Sequence, residues 1–472
     1  MESAPPARKH PEADISRIAP WRWLPPLAAA ALGLWGLERG GSMWRDESVT
    51  WQAAHRPLGG LWELLGQVDA VHGLYYLLMH GVFAVWDAAG LPGGLPGGGL
   101  WALRLPSVVA TALAAAGVAA VGHRLAGERA GLIAGLAYAV APPVQMYAQE
   151  GRSYALVAAA VVWATYLMLR ERWVAYAGVL LLGCWLHEFA VLALPAHGFA
   201  ARRSRGWRRS AGAVAAGLLP LALVSARQAQ QQLGWLGRPS WQDWAAYGLA
   251  AAAALLLARG ASAPRELVRV ALPLALLPPG LLLAVSLVHP WYVDRYVLYA
   301  LAGLALLAGA RLGAARGPLP WLLVAALLVP FGWWSAWLRT PESRKDDVLA
   351  VAAAVRERAR PGDAVLFLPS RRREWLLSSP RVYGSLRDLA LERSPAASRS
   401  LQGTERPAPE IRAALLEADR VVALLDPAGQ PVDGNPGEAV KRQTLVSSFD
   451  LCSVTEVRGA RVAVFARPGG CP

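Results

Sequence analysis

Long apolar runs recur from residue 22 to residue 338 with only short loops between them. A helix that crosses a bilayer needs about 20 apolar residues, and fewer where its ends are buried in protein. Candidate spans lie near 22–37, 101–122, 130–148, 153–170, 173–186, 188–201, 208–225, 244–259, 268–288, 295–311 and 318–338. His187-Glu188 in the middle of the 173–201 stretch favours two short helices joined by a turn over one long helix. Only 17% of the residues are charged, against about 25% in a soluble domain. The fold class is therefore a mainly α polytopic membrane protein with about eleven spans.

The arginines orient these spans. Basic residues gather at Arg8, Lys9, Arg17 and Arg22, at Arg124 and Arg129, at Arg170 and Arg172, in "ARRSRGWRR" (201–209), at Arg259, Arg265 and Arg269, and at Arg311 and Arg316. They fall in alternate loops, as cytoplasmic loops do when the N-terminus is inside. The net charge of +14 is thus a topology signal, and nucleic acid is excluded as a partner. Trp21, Trp23, Trp44, Trp173, Trp291 and Trp333 stand near run ends, where an interfacial aromatic belt sits. A multi-pass plasma-membrane protein is expected, in contact with the lipid bilayer, its first run a retained anchor and not a cleaved signal.

The opposite loops hold most of the polar chemistry: "GSMWRDESVT" (41–50), "YAQEGRSY" (147–154), "HEF" (187–189), "QAQQQLGWLGRPSWQDW" (228–244) and "HPWYVDRY" (289–296). Counting "HGLYYLLMHGVFAVWDAAG" (72–90) as a span would disturb the arginine alternation, so it is expected to lie as an amphipathic helix on the outer surface. A shorter helix near 58–68 precedes it. The first outer loop then runs from 38 to 100 with two surface helices, and "GLPGGLPGGG" (90–99) turns back into the bilayer. The expected organisation is a cytoplasmic N-terminus (1–21), a membrane domain (22–339) and an extracytoplasmic α/β domain (340–472). In that last domain, 344–360 reads as a helix, 363–369 and 419–426 as buried strands, and 453–467 as a hairpin turning at Arg458-Gly459. Cys184 sits inside an apolar run as a core residue. Cys452 and Cys471 are in the polar tail, where pairing depends on an oxidising compartment.

Carboxylates at a bilayer edge are costly to place and are candidates for function. Asp46 and Glu47 come first; one of them alone would read equally well as the cap of a helix start. Glu150 opens the fourth span, with Arg152 and Tyr154 as neighbours. His187 and Glu188 form a third cluster, and Asp294-Arg295-Tyr296 a fourth. An arginine at a membrane edge either snorkels or forks onto a phosphate. Asp46, Glu150 and His187 are also weak candidates to hold a divalent cation, although their spacing matches no metal motif. Two acids and a phosphate-binding arginine in one outer cavity suit displacement at a carbon bearing a phosphate leaving group. A carboxylate would deprotonate an acceptor hydroxyl while a cation takes the developing charge.

"WRDESVTWQAA", "LYYLLMHGVFAVW", "LRLPSVV", "AGERAGLIAGLAYAVAPPVQMYAQEGRSYAL" and "VDRYVLYA", in that order, resemble the GT-C superfamily of membrane glycosyltransferases, specifically the bacterial glycosyltransferase family 39 of protein mannosyltransferase-like and aminoarabinose transferase-like proteins. The resemblance implies a polyprenyl-phosphate sugar donor and inverting transfer on the outer face to a hydroxyl of a glycan, lipid or protein. By the same resemblance Asp46 matches the first-loop catalytic acid–base, Glu47 its acidic neighbour and Glu150 the second-loop acid. Arg152, Tyr154, His187, Glu188, Arg295 and Tyr296 fall on the substrate side, Arg295 matching the arginine that binds the lipid phosphate. The competing class is a transporter or flippase for a polyprenyl-linked saccharide. It calls for inverted repeats and midspan polar residues, and the charges here cluster at one face instead.

Overall fold

The structure is a computed structural model that describes residues 20–92, 98–234, 236–259, 264–431 and 433–471. Nearly all of the expected cytoplasmic N-terminus (1–21), with Arg8, Lys9 and Arg17, and the centre of the 90–99 turn lie outside those residues.

Every apolar run named above contains helix. The membrane domain comprises α1 (Leu24–Leu34), α5 (Gly98–Ala126), α6 (Glu128–Val140), α7 (Pro142–Ala148), α8 (Tyr154–Leu169), α9 (Trp173–Leu186), α10 (Ala193–Ala201), α11 (Arg205–Leu233), α12 (Trp241–Ala258), α13 (Arg265–Val285), α14 (Leu301–Gly313) and α15 (Leu319–Leu338). Among the described residues four helical stretches are long and apolar enough to cross a membrane: Gly99–Ala126, Arg205–Gln230, Arg265–Val285 and Asp294–Gly313. Tyr154–Leu169, Trp173–Leu186, Glu188–Ala201 and Val324–Leu338 are apolar but shorter. Length and composition thus do not confirm the expected count of about eleven spans, several runs being interrupted. The 130–148 run breaks at Ala141, where Pro142 has no N–H to continue the ladder and opens α7 instead. The run after His187 begins as a 3-10 turn (Glu188–Leu192), and so does the one at Asp294–Ala300.

Close packing joins α5 to α1, α6 and α8, and α6 to α14. Small residues make this possible. A Cβ on Gly131 would stand 2.5 Å from the Ala119 carbonyl oxygen, and one on Gly309 2.5 Å from that of Ala130. At one end of the bundle Arg124 Nη2 donates to Leu169 O at 2.9 Å and Arg129 lies over the Trp321 ring. At the other end the loops after α1, before α8, after α9 and before α14 converge.

The first loop at this second end holds three helices: α2 (Arg45–Ala54), α3 (Leu58–Leu65) and α4 (Gly73–Ala88). The expected pair corresponds to α3 and α4, and α2 is additional. It begins at the acidic pair. Tyr75, Tyr76, Met79 and Phe83 of α4 face the core, while Leu77, Leu78 and Val85 are exposed apolar surface.

The C-terminal domain contains α16 (Val348–Arg358), β1 (Ala364–Leu368), α17 (Glu374–Leu377), α18 (Pro380–Tyr383), β2 (Arg387–Asp388), β3 (Leu391–Arg393), β4 (Thr404–Glu405), α19 (Ala408–Leu416), β5 (Arg420–Leu425), α20 (Pro436–Ser448), β6 (Asp450–Val457) and β7 (Ala460–Ala466). Its five-stranded sheet has the order β2-β1-β5-β7-β6, with β1 parallel to β2 and β5, and β7 antiparallel to β5 and β6. β1 and β5 read as unbroken apolar runs because both faces are covered. Val365, Phe367, Val422 and Leu424 share a core with α16 and the membrane domain, and Ala364, Leu366, Val421 and Ala423 share one with Ile411, Leu415 and Leu445. The expected helix, both strands and the hairpin are all present, with the turn at Arg458-Gly459. Cys452 and Cys471 form a disulfide, and Cys184 is buried.

Candidate active site

The first turn of α2 separates the two acids. Glu47 is fully buried. Its Oε2 accepts from Arg39 Nη2 at 2.7 Å and Arg104 Nη2 at 2.8 Å, and its Oε1 accepts from Arg104 Nε at 2.7 Å and the Gly151 N–H at 3.0 Å. Burial pushes this carboxyl up, but Arg104 and Arg39 outweigh it and hold it at about 2. Arg104 donates besides to the Leu37 and Ser42 carbonyls, both at 2.6 Å. Gly151 is fixed by the same junction, since a Cβ there would collide with Leu103 at 2.4 Å. Glu47 thus ties the ends of α1 and α5 and the loop before α8 to α2.

Asp46 faces the other way. Its side chain is 16% exposed, with Oδ2 3.5 Å from Arg295 Nη2 and Oδ1 3.7 Å from Arg45 Nε. Both contacts are loose, and both oxygens keep room for a further donor. Arg295, also 16% exposed, donates from Nε to Tyr154 Oη at 3.0 Å and lies 5.5–5.6 Å from the ring centroids of Trp44, Tyr154 and Tyr296. Aromatic faces hold a guanidinium without consuming its donors. His187 follows in the same cluster, its ring centroid 4.4 Å from that of Tyr296 and 5.9 Å from that of Tyr154. Arg152 closes the floor. It donates to His72 Nε2 at 2.6 Å and Tyr76 Oη at 3.3 Å, and reaches the Asp46 carbonyl at 3.5 Å. Burial, then the Arg152 and Arg295 charges, push the His187 imidazole down to about 3, so it is neutral at ordinary pH. His72 is shifted down by the same causes, burial and Arg152 first. Among the described residues Arg152 Nε, His72 Nδ1 and His187 Nδ1 are buried without a hydrogen-bond partner, a polar capacity that a bound ligand can use.

Asp46, Arg152, Tyr154, His187, Arg295 and Tyr296 therefore come together. Three other sequence candidates do not join them. Glu47 lies behind Asp46 in the ion-pair junction. Glu150 is buried 2.9 Å from Arg344 of the segment that enters the C-terminal domain, and burial raises its carboxyl. Glu188 bonds Ser225 on α11. Among the described residues no three His, Cys, Asp or Glu side chains are grouped to hold a metal ion, and Glu150 stands with Arg344, apart from Asp46 and His187.

Several partners escaped sequence reasoning. Arg39 and Arg104 look like topology or snorkelling residues, His72 and Tyr76 like the polar side of a surface helix, and Arg344 and Glu374 like surface charges of an independent domain. For Arg104 a signal existed, since a charge in the first turns of an otherwise apolar run is expensive without a partner.

Residues 90–227 match the family described as dolichyl-phosphate-mannose-protein mannosyltransferase. That segment carries Arg104, Glu150, Arg152, Tyr154, His187 and Glu188, but not Asp46 or Arg295. Among solved structures, ArnT from Cupriavidus metallidurans in the apo state superposes with a TM-score of 0.50 at 11% identity, covering 94% of this chain and 97% of that one. ArnT bound to undecaprenyl phosphate gives 0.47 at 13% identity, with 95% and 98% coverage. The archaeal oligosaccharyltransferase AglB from Archaeoglobus fulgidus, in complex with an inhibitory peptide and a dolichol-phosphate, gives 0.43 at 11% identity, with 86% and 69% coverage. No curated protein sequence matches the chain.

Proposed function

We infer that this membrane glycosyltransferase of the GT-C superfamily moves a sugar from a polyprenyl-phosphate donor to an acceptor hydroxyl at the outer face of the membrane. The observation that carries the reading is the approach of Asp46 to Arg295, a loosely held carboxylate 3.5 Å from a guanidinium, in a cluster that keeps unpaired donors. A transfer from a phosphate needs both groups within one sugar's reach: a base for the incoming hydroxyl and a cation for the outgoing phosphate.

Asp46 takes the proton of the acceptor hydroxyl. The freed oxygen attacks the anomeric carbon as that carbon's bond to the phosphate oxygen breaks. The bonding pair leaves with the lipid phosphate, whose charge Arg295 receives through charge-assisted hydrogen bonds. One displacement from the face opposite the leaving group inverts the anomeric centre. Arg152 and neutral His187 and His72 supply hydrogen bonds to sugar hydroxyls or phosphate oxygens. Glu47 positions the α2 turn without touching substrate, and Glu150 does the same for the loop before α8 through Arg344.

An apolar groove of about 590 Å³ supports a lipid-anchored substrate. It runs between α4, α5, α8 and α9 and is lined by Trp86, Pro106, Val109, Leu156, Trp163 and Leu186. Two of its lining residues adjoin residues of the polar end in sequence: Pro106 precedes Ser107, which bonds the Glu150 and Arg152 carbonyls, and Leu186 precedes His187.

The test is transfer in proteoliposomes from labelled polyprenyl-phosphate hexoses and pentoses to envelope extracts. Wild type should move one label. Asp46→Asn should lower the rate at least about 100-fold, the usual weight of a general base, while the protein keeps its thermal transition. Undiminished turnover in that variant removes Asp46 from the role of base.

A further inference from the structure

The C-terminal domain sits against the catalytic helix through the side of its sheet where ligands gather in open α/β folds, the loops beyond the carboxyl ends of parallel strands. The chain leaves β1 at Leu368 and makes the turn Ser370–Arg373, and α17 begins at Glu374. This helix, α17, packs on α2. Ser48 Oγ and Gln52 Nε2 of α2 both donate to the Glu374 carbonyl, at 3.2 and 2.7 Å. Two further bolts hold the same junction: the Arg45 N–H donates to Asp346 Oδ1 at 2.8 Å, and the Val348 N–H to the Met43 carbonyl at 2.8 Å. The docking thus engages the backbone of Glu374 and leaves its carboxylate over. Among the described residues no hydrogen bond or ion pair holds that carboxylate, which is half-buried and interacts electrostatically with Arg45, Asp69, Asp46 and Arg371.

The position of Asp46 says what the carboxylate faces. Arg295 approaches Asp46 at Oδ2, and Arg45, whose N–H bonds Asp346 of the segment entering the C-terminal domain, approaches it at Oδ1. In the mechanism above the donor phosphate takes the Arg295 side, so the acceptor reaches Asp46 from the side that Glu374 overlooks. We propose that the C-terminal domain forms the acceptor wall of the active site and that Glu374 is a positioning residue that hydrogen-bonds the acceptor beside the hydroxyl attacked by Asp46. The inference rests on the glycosyl-transfer reading. It gives the domain a part in the reaction that its own fold does not announce.

Burial, with the Asp69 and Asp46 charges opposed by Arg45 and Arg371, raises the Glu374 carboxyl to about 7. Arg45 and Asp46 come from α2, Asp69 from the loop before α4 and Arg371 from the turn itself; α16 and α18 also pack on α17, and α18 carries Arg381 and Tyr383. As a hydrogen-bond acceptor Glu374 works ionised, so transfer should rise as pH passes upward through about 7.

The experiment uses the full chain in nanodiscs, with undecaprenyl phosphate as the binding probe and the labelled donor that wild type accepts as the transfer probe. Because the docking bonds use only the backbone carbonyl, Glu374→Gln keeps them. The expected result is at least a tenfold loss of transfer, disappearance of the rise near pH 7, partial recovery in Glu374→Asp, and unchanged undecaprenyl phosphate binding. Wild-type transfer with an unchanged pH profile in Glu374→Gln overturns the inference, and so does a parallel loss of undecaprenyl phosphate binding. Wild type that binds undecaprenyl phosphate and transfers no label overturns the glycosyl-transfer reading itself.

Discussion

Successive residues of a helix point about 100° apart, and this rotation divides the acidic pair. At the first turn of α2 it sends Glu47 into a junction with no solvent and leaves Asp46 in a partly open cluster. Both are acids, yet only Asp46 keeps room on both oxygens for a further donor. Arg295 shows the complementary economy, with three aromatic rings fixing its plane while most of its donors stay available. If it grips the donor phosphate, Arg295→Ala should weaken undecaprenyl phosphate binding about 10- to 100-fold, the equivalent of one or two charge-assisted bonds at about 1.5–3 kcal/mol in total. Titration of the purified protein in nanodiscs measures this, and unchanged affinity would transfer the phosphate role to Arg152.

At the scale of elements, the site depends on how α1, α2, α5 and the loop before α8 are clamped. Glu47 and Arg104 do this, and removing one member of a buried ion pair costs about 3–5 kcal/mol because the partner's charge is left uncompensated. Glu47→Gln should therefore lower the thermal transition markedly while leaving Asp46 chemically intact, as thermal unfolding in detergent would report. The pH dependence has a definite sign. The folded carboxyl is held at about 2, below its ordinary 4.5, so its contribution is complete above about 4.5 and fades as pH falls toward 2. Wild type should lose stability over that acid range, and the Gln variant should lack this component. Equal acid sensitivity in both would place the linkage elsewhere.

On the scale of the whole molecule, the polar cluster and the C-terminal domain share one end of the bundle and the arginine-rich turns occupy the other. This makes orientation testable in intact cells with an impermeant thiol reagent. The native cysteines give little background, because Cys184 is buried and Cys452 is bonded to Cys471. A cysteine at the 83% exposed Val446 should be labelled from outside, and one at the exposed Arg203 only after permeabilisation. The reverse pattern would invert the topology and put the reaction on the cytoplasmic side.

The amino-acid sequence by itself determined what hydropathy and local propensity control. These are the apolar helices, the two-helix break at His187-Glu188, α3 and α4, the strands β1 and β5, and the hairpin at Arg458-Gly459. Each depends on neighbours within a few residues, so periodicity carries it. Which acid is buried, which stays partly open, and what the last domain packs against were decided only by tertiary structure. Glu47 meets Arg104 across 57 positions and Arg45 meets Asp346 across 301. No local pattern encodes such pairs, because burying a charge is favourable only where packing brings its partner. That same packing buried one of two adjacent carboxylates in a clamp, left the other partly open beside Arg295, and docked Glu374 onto α2.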